Sequence, residues 1–196
     1  MSRTAQITRT TGETDVALSL DLDGTGAGER ATGVGFLDHL LDAIARHGRL
    51  NLDVRASGDL ETGPHHTVED AGIVLGQALD EALADRAGIA RFGEAVVPMD
   101  EARAAAAIDV SGRPLAVFEG PWPERPVGDL EPDLPQEFLR AVASSAKLTL
   151  HVRVEAGGND HHVIEAAFKA VALALRRAVA IDATTGGEVP STKGLL

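Results

Sequence analysis

The sequence predicts an α+β fold made of two duplicated β-β-α-β-α halves, with the helices packed between two mixed β-sheets. Three observations carry this reading. Leu41–Arg55 aligns with Leu139–Arg153 at an offset of 98 with seven identities in 15 positions, and His65–Leu83 aligns with His161–Val179 at an offset of 96 with seven in 19. The motif His-His-x-x-Glu stands in both copies in the same register, which an alanine-rich composition does not readily supply. Each copy also runs through the same order of alternating and helical periodicities. A sheet covered by helices on one face leaves those helices half exposed, and packing the two helical layers against each other buries both. The halves meet near Asp85–Ala90, so residues 1–90 and 91–196 are the expected units of one globular whole.

In the first half, Arg3–Thr10 and Asp15–Leu22 alternate apolar and polar residues as two strands joined around Gly12. Phe36–His47 has helical spacing, with Phe36, Leu40, Leu41 and Ile44 on one side. Leu50, Leu52 and Val54 alternate as a strand, and His65–Ala84 is a long amphipathic helix carrying Ile73, Leu75, Leu79 and Leu83. The second half predicts strands at Phe92–Val97, Ala104–Val110 and Leu115–Phe118, a helix near Gln136–Ser144, a strand at Leu148–Val154 and a helix at His161–Val179. The early strands match as well: Glu13, Asp21 and Gly24 stand opposite Glu101, Asp109 and Gly112 at an offset of 88. Pro121–Pro135 holds five prolines and reads as a surface excursion, ordered through a neighbouring molecule if at all.

Composition narrows the function. Thirty acidic against 18 basic residues leave a formal charge of −12, with no basic run, which argues against nucleic-acid and anionic-membrane partners. The absence of cysteine excludes disulfides, thiol catalysis and Cys-type metal sites. The longest uncharged apolar stretch, near Ala71–Leu79, is far short of the roughly 20 residues of a membrane span, and the expected location is cytoplasmic.

The strongest chemical signal is the pair of motifs His65-His66-Thr67-Val68-Glu69 and His161-His162-Val163-Ile164-Glu165. On a helix the first His and the Glu share a face and suit one metal ion, whereas the second His diverges by about 100° and points to another ion or across a subunit boundary. His39 stands opposite Glu137 in the repeat, so a duplicated site completes its ligand set with imidazole in one copy and carboxylate in the other. Five imidazoles and three carboxylates over two ions leave open positions on an octahedral metal such as Mn²⁺, although four ligands can also close a structural zinc. His47, two turns after His39, faces the same cavity or caps its helix end; His151 reads as an ordinary sheet residue. Arg91, Arg113, Ser191 and Lys193 have the chemistry of a phosphate fork, but nothing in their spacing gathers them, and Glu13 alone reads as a surface acid at a tight turn.

Together these motifs resemble the imidazoleglycerol-phosphate dehydratase family. The resemblance runs through Arg9-Thr10-Thr11-Gly12-Glu13-Thr14, Thr32-Gly33-Val34-Gly35-Phe36-Leu37-Asp38-His39, His65-His66-Thr67-Val68-Glu69-Asp70, Asp109-Val110-Ser111-Gly112-Arg113-Pro114, Asp160-His161-His162 and Pro190-Ser191-Thr192-Lys193-Gly194, six ordered motifs over nearly the whole chain. It implies a ribosomal protein S5 domain 2-like protomer, a 24-subunit homo-oligomeric shell, sites built between subunits, and two Mn²⁺ ions per active site. It implies that His39, His65, His66, Glu69, His161, His162 and Glu165 are metal ligands, with Glu137 at a position where the family often has histidine. Glu13, His47, Arg91, Arg113, Ser191 and Lys193 match substrate-contacting positions, joined there by His39, His65 and Glu69. The implied reaction removes water from a glycerol phosphate carrying an imidazole ring. Lewis acids on the ring favour its imidazolate form, which helps expel the neighbouring hydroxyl, and Glu13 serves as general acid/base. A di-metal phosphoester hydrolase would use the same His/carboxylate wealth but leave the Arg/Ser/Lys set unexplained. A metal-cemented assembly protein would have no specific affinity for an imidazole phosphate.

Overall fold

The computed structural model describes residues 2–194 and 196. Its first half runs β1 (Thr4–Thr10), β2 (Thr14–Asp21), β3 (Arg30–Ala31), α1 (Gly35–Gly48), β4 (Asn51–Gly58) and α2 (His65–Leu83). The second half runs β5 (Phe92–Met99), β6 (Ala102–Asp109), β7 (Leu115–Glu119), α3 (Leu134–Ser145), β8 (Thr149–Ala156) and α4 (Asp160–Ala178). The sheets have corresponding orders, β1-β2-β4-β3 and β5-β6-β8-β7. Both are mixed, because β3 and β7 lie parallel to β4 and β8 while every other pairing is antiparallel. The offsets of the sequence repeat recur in the coordinates: β2 and β6 differ by 88 residues, β4 and β8 by 98.

Each half thus follows the predicted β-β-α-β-α order with a parallel edge strand inserted before its first helix. In the second half that strand was legible as Leu115–Phe118. In the first it is two residues long, too short for any alternation to show.

Strand alternation sets the core. Val16, Leu18 and Leu20 of β2 and Leu52 and Val54 of β4 point inward, as do Ala104, Ala106 and Ile108 of β6 and Leu150, Val152 and Val154 of β8. The helix α2 lies on the first sheet and α4 on the second, while α1 packs on α4 and α3 on α2, so each half supplies the cover for the other's long helix. Phe138 of α3 and Phe168 of α4 stack with ring centroids 5.8 Å apart, both fully buried, where the helical layers meet. The close approach of α2 to α3 depends on Gly72 and Gly76. A Cβ at those positions would lie 2.7 Å from the Phe138 carbonyl oxygen and 2.6 Å from that of Val142.

The proline-rich segment differs from expectation. It is irregular, but it is ordered within its own chain. Asp129 accepts hydrogen bonds from the backbone N–H groups of Gly35 and Phe36 and so caps α1, whose N-cap residue Val34 has no side-chain oxygen to offer. Among the described residues no helix is long and apolar enough to cross a membrane.

Candidate active site

The N-terminus of α4 builds one cluster. Asn159, in extended conformation, caps the helix by accepting from the backbone N–H of His161 (2.9 Å) and His162 (3.4 Å). His161 and Glu165 then share a helix face, and α1 delivers His39 to the same place because α1 packs on α4. His39 Nε2 and His161 Nε2 lie 3.0 and 2.9 Å from one oxygen, Glu165 Oε2. Lys169, one turn further along, donates to Glu165 Oε1 at 2.7 Å. The Phe36 ring backs both imidazoles, with centroids 5.9 Å from His39 and 5.0 Å from His161. Burial works to raise the Glu165 carboxyl, but hydrogen bonds from Lys169, His39 and His161 outweigh it and hold it at about 2. The carboxylate is therefore ionised, and its Oε2 faces two imidazole nitrogens at 3.0 and 2.9 Å.

This donor set fits a metal. One ligand atom from each of His39, His161 and Glu165 lies within 4.8 Å of the others, and imidazole with carboxylate suits a borderline first-row ion. Among the described residues it is the one such group of three. The first-half counterpart is looser: His65 Nε2 stands 3.9 Å from Glu69 Oε2, and both side chains are about half exposed. Glu137 does not join them within the chain. Its carboxylate pairs with Arg140 on the next turn of α3.

The second histidine of each motif is oriented through Nδ1. His162 Nδ1 lies 2.8 Å from Glu101 Oε2, and His66 Nδ1 lies 3.1 Å from Asp59 Oδ2. These hydrogen bonds raise both imidazoles above their ordinary pKa, with neighbouring carboxylates adding to the effect, and the bond from His162 helps hold Glu101 down at about 2. A carboxylate engaging Nδ1 is the arrangement that orients metal-binding histidines, and His162 Nε2 lies 3.8 Å from Asp100 Oδ2. Glu13 stands at the β1–β2 turn with its Oε2 3.9 Å from His66 Nδ1.

Beside the Glu165 cluster is a cleft of about 440 Å³ lined by His39, His47, Glu165, Lys169, Arg30 and Arg46. Burial lowers the His47 pKa, and the Lys169 and Arg46 charges add to this. Asp42 also lines the cleft, and the Asp42 and Glu165 carboxylates are paired with Arg30 and Lys169.

The phosphate candidates gather elsewhere. Arg91 forms two hydrogen bonds to the Asp109 carboxylate, at 2.8 and 3.2 Å, and Arg113 reaches the same carboxylate at 3.4 Å. Arg91 also donates to the Pro190 carbonyl at 2.8 Å, drawing in the tail. There Ser191 Oγ accepts from the Lys193 backbone N–H, and a cleft of about 420 Å³ opens between Arg91, Pro190, Ser191 and Thr192. Asp109 thus brings Arg91 and Arg113 together. His151 lies exposed on β8, outside all these groups.

The two ends are far apart. Glu101 precedes β6 and Asp109 ends it, about 26 Å away at the rise of a strand. Along α4, His161 is likewise about 26 Å from Ala178, whose carbonyl accepts from the Arg91 N–H at 2.8 Å.

Sequence reasoning missed Asp59, Lys169 and Asp129, and it paired Glu101 and Asp109 with Glu13 and Asp21 in the repeat without giving either a role. Lys169 had a readable signal, since it lies four residues after Glu165 on the same helix face. Asp59 and Asp129 hold their partners from irregular segments and carry none.

Comparison with known proteins places the chain in a family. The family model for imidazoleglycerol-phosphate dehydratase matches residues 32–175. The imidazoleglycerol-phosphate dehydratase of Acidiphilium cryptum is 57% identical over 196 residues, covering 100% of both chains. That of Methanoculleus marisnigri is 56% identical over 194 residues, covering 99% of this chain and 100% of the relative. Among solved structures, the imidazoleglycerol-phosphate dehydratase of Staphylococcus aureus superposes with a TM-score of 0.83 at 39% identity, covering 91% of this chain and 99% of that one. The enzyme of Pyrococcus furiosus, solved in complex with (S)-C348, gives 0.84 at 36% identity over 97% and 100%. The chain belongs to the imidazoleglycerol-phosphate dehydratase family.

Proposed function

We propose that this chain dehydrates imidazoleglycerol phosphate to imidazole acetol phosphate, a step of histidine biosynthesis, at sites shared between copies of itself. The observation that carries the reading is the convergence of His39, His161 and Glu165 on one point, in a chain of this family. We assign the ligands of two Mn²⁺ ions per site to His39, His65, His66, Glu69, His161, His162, Glu165 and Glu137. Bound there, divalent ions act as Lewis acids toward the imidazole ring.

The chain's own residues do the rest. Arg91, Arg113, Ser191 and Lys193 hold the phosphate, with guanidinium forks suited to its oxygens and Asp109 keeping both arginines in place. His39, His47, His65 and Glu69 line the substrate's ring and glycerol. Glu13 is the general acid/base that takes the carbon-bound proton of the glycerol and delivers a proton to the departing hydroxyl. The hydroxyl on the carbon joined to the ring leaves as water, and the resulting enol tautomerises to the ketone with the phosphate ester intact. A substrate of three carbons, a ring and a phosphate cannot bridge about 26 Å, so the metal end of one copy must meet the anion end of another. This supports a homo-oligomer, for which we adopt the 24-subunit shell.

Product analysis tests the function. Manganese-loaded protein incubated with imidazoleglycerol phosphate is expected to yield a new carbonyl, seen as enol absorbance in alkali, with the phosphate retained. Release of inorganic phosphate, or no turnover, would overturn the reading.

A further inference from the structure

The duplication supplies an internal comparison for Glu13. At the end of the second hairpin its counterpart Glu101 is tied down: the carboxylate accepts from the backbone N–H groups of Gly158 (3.2 Å) and Asn159 (2.8 Å) and lies 2.8 Å from His162 Nδ1. Glu13, 88 residues earlier, makes no side-chain hydrogen bond among the described residues and is more than half exposed.

The loops before the long helices account for the difference. From β4 to His65 the connection is residues 59–64, six in all; from β8 to His161 it is residues 157–160, four in all. The short connection turns at Gly157, and the amides of Gly158 and Asn159 face Glu101. In the longer one, Asp59 takes the place of Gly157 and a 3-10 turn, Leu60–Thr62, follows. The Asp59 backbone N–H donates to the Glu13 carbonyl at 3.1 Å, and its carboxylate, steadied by Thr62 Oγ1 at 2.9 Å, takes His66 Nδ1 at 3.1 Å.

We infer that Asp59 is a positioning residue that keeps Glu13 free, supplying to His66 the clamp that Glu101 supplies to His162. The inference rests on the reading of Glu13 as the acid/base. Without Asp59, the nearest acceptor for the His66 Nδ1 proton is Glu13 Oε2, which needs to move only about 1 Å to reach hydrogen-bond distance. Glu13 would then become a second Glu101, still orienting the histidine but no longer available to the substrate.

The test compares Asp59→Ala and Asp59→Gly, the latter installing the residue of the second half, with Asp59→Asn and Glu13→Gln in the metal-loaded enzyme. Turnover is measured in excess Mn²⁺, and Mn²⁺ affinity by electron paramagnetic resonance of the free ion. Asp59→Ala and Asp59→Gly are expected to lower kcat about tenfold or more while Mn²⁺ affinity stays within about threefold. Asp59→Asn, whose amide oxygen still accepts from Nδ1–H, recovers most of the rate. In the Glu13→Gln background, adding Asp59→Ala changes the residual kcat by less than about twofold, because both changes act through one group. Restoration of kcat by excess Mn²⁺, or the same fractional loss in both backgrounds, overturns the inference. Wild-type turnover in Asp59→Ala beside a dead Glu13→Gln overturns the inference alone. Wild-type turnover in Glu13→Gln overturns the role of Glu13 and the inference with it.

Discussion

Individual side chains in this chain divide into those that face chemistry and those that hold them still. Among the described residues Glu13 has no hydrogen bond to its carboxylate, whereas Glu165 and Glu101 are each held by several. Glu13→Gln is therefore expected to fold and bind metal as wild type while losing about 10²–10⁴-fold in kcat; steady-state kinetics with metal analysis checks this. Arg113, its Nη2 only 3.4 Å from Asp109 and its side chain largely exposed, is available to a phosphate. Arg113→Ala should raise KM about tenfold to a hundredfold with a small change in kcat, and an effect confined to kcat would contradict its role. The paired histidines were legible because their spacing on a helix is itself the signal. Asp59 was not, since a carboxylate that acts from a loop shares no periodicity with the group it holds, and Asp109 was visible only as the repeat partner of Asp21, without its two arginines.

The elements show where local reading stops. Strand alternation and helical spacing predicted the four helices and seven of the eight strands. They failed at β3, two residues long, and at the proline-rich segment, whose order comes from a contact 94 residues away in sequence, Asp129 to Gly35. That contact bears on function: α1 carries His39 into the Glu165 cluster, and its first turn is held from the other half of the chain. Asp129→Ala should cost about 0.5–2 kcal/mol of stability, the usual value of a lost cap, and weaken metal binding at His39, His161 and Glu165. Urea unfolding together with Mn²⁺ titration measures both, and unchanged values in each would show that the cap does not position His39. The offset of 98 that falls to 96 across the two halves was visible in the sequence, but only the folded loops give it meaning, as the space that Asp59 and the 3-10 turn occupy.

At the scale of the whole molecule, the halves are interdependent. The helix α1 covers α4 and α3 covers α2, so residues 1–90 or 91–196 alone would expose the apolar face of a long helix. Each half expressed separately is expected to be unfolded or aggregated by circular dichroism and sizing, and the two together to recover the native signal; an independently folded half would contradict this packing. The same architecture separates the His39/Glu165 cluster from the Arg91/Arg113 cluster along β6 and α4, and under the proposed function a working site draws on two copies. Complementation measures this split most directly. Glu165→Gln, defective at the metal end, is co-expressed with Arg113→Ala, defective at the anion end. Sites that pair the intact end of each are expected to restore up to about a quarter of wild-type turnover in mixed oligomers. Mixed oligomers no more active than either variant alone would mean that each chain builds its site from its own residues.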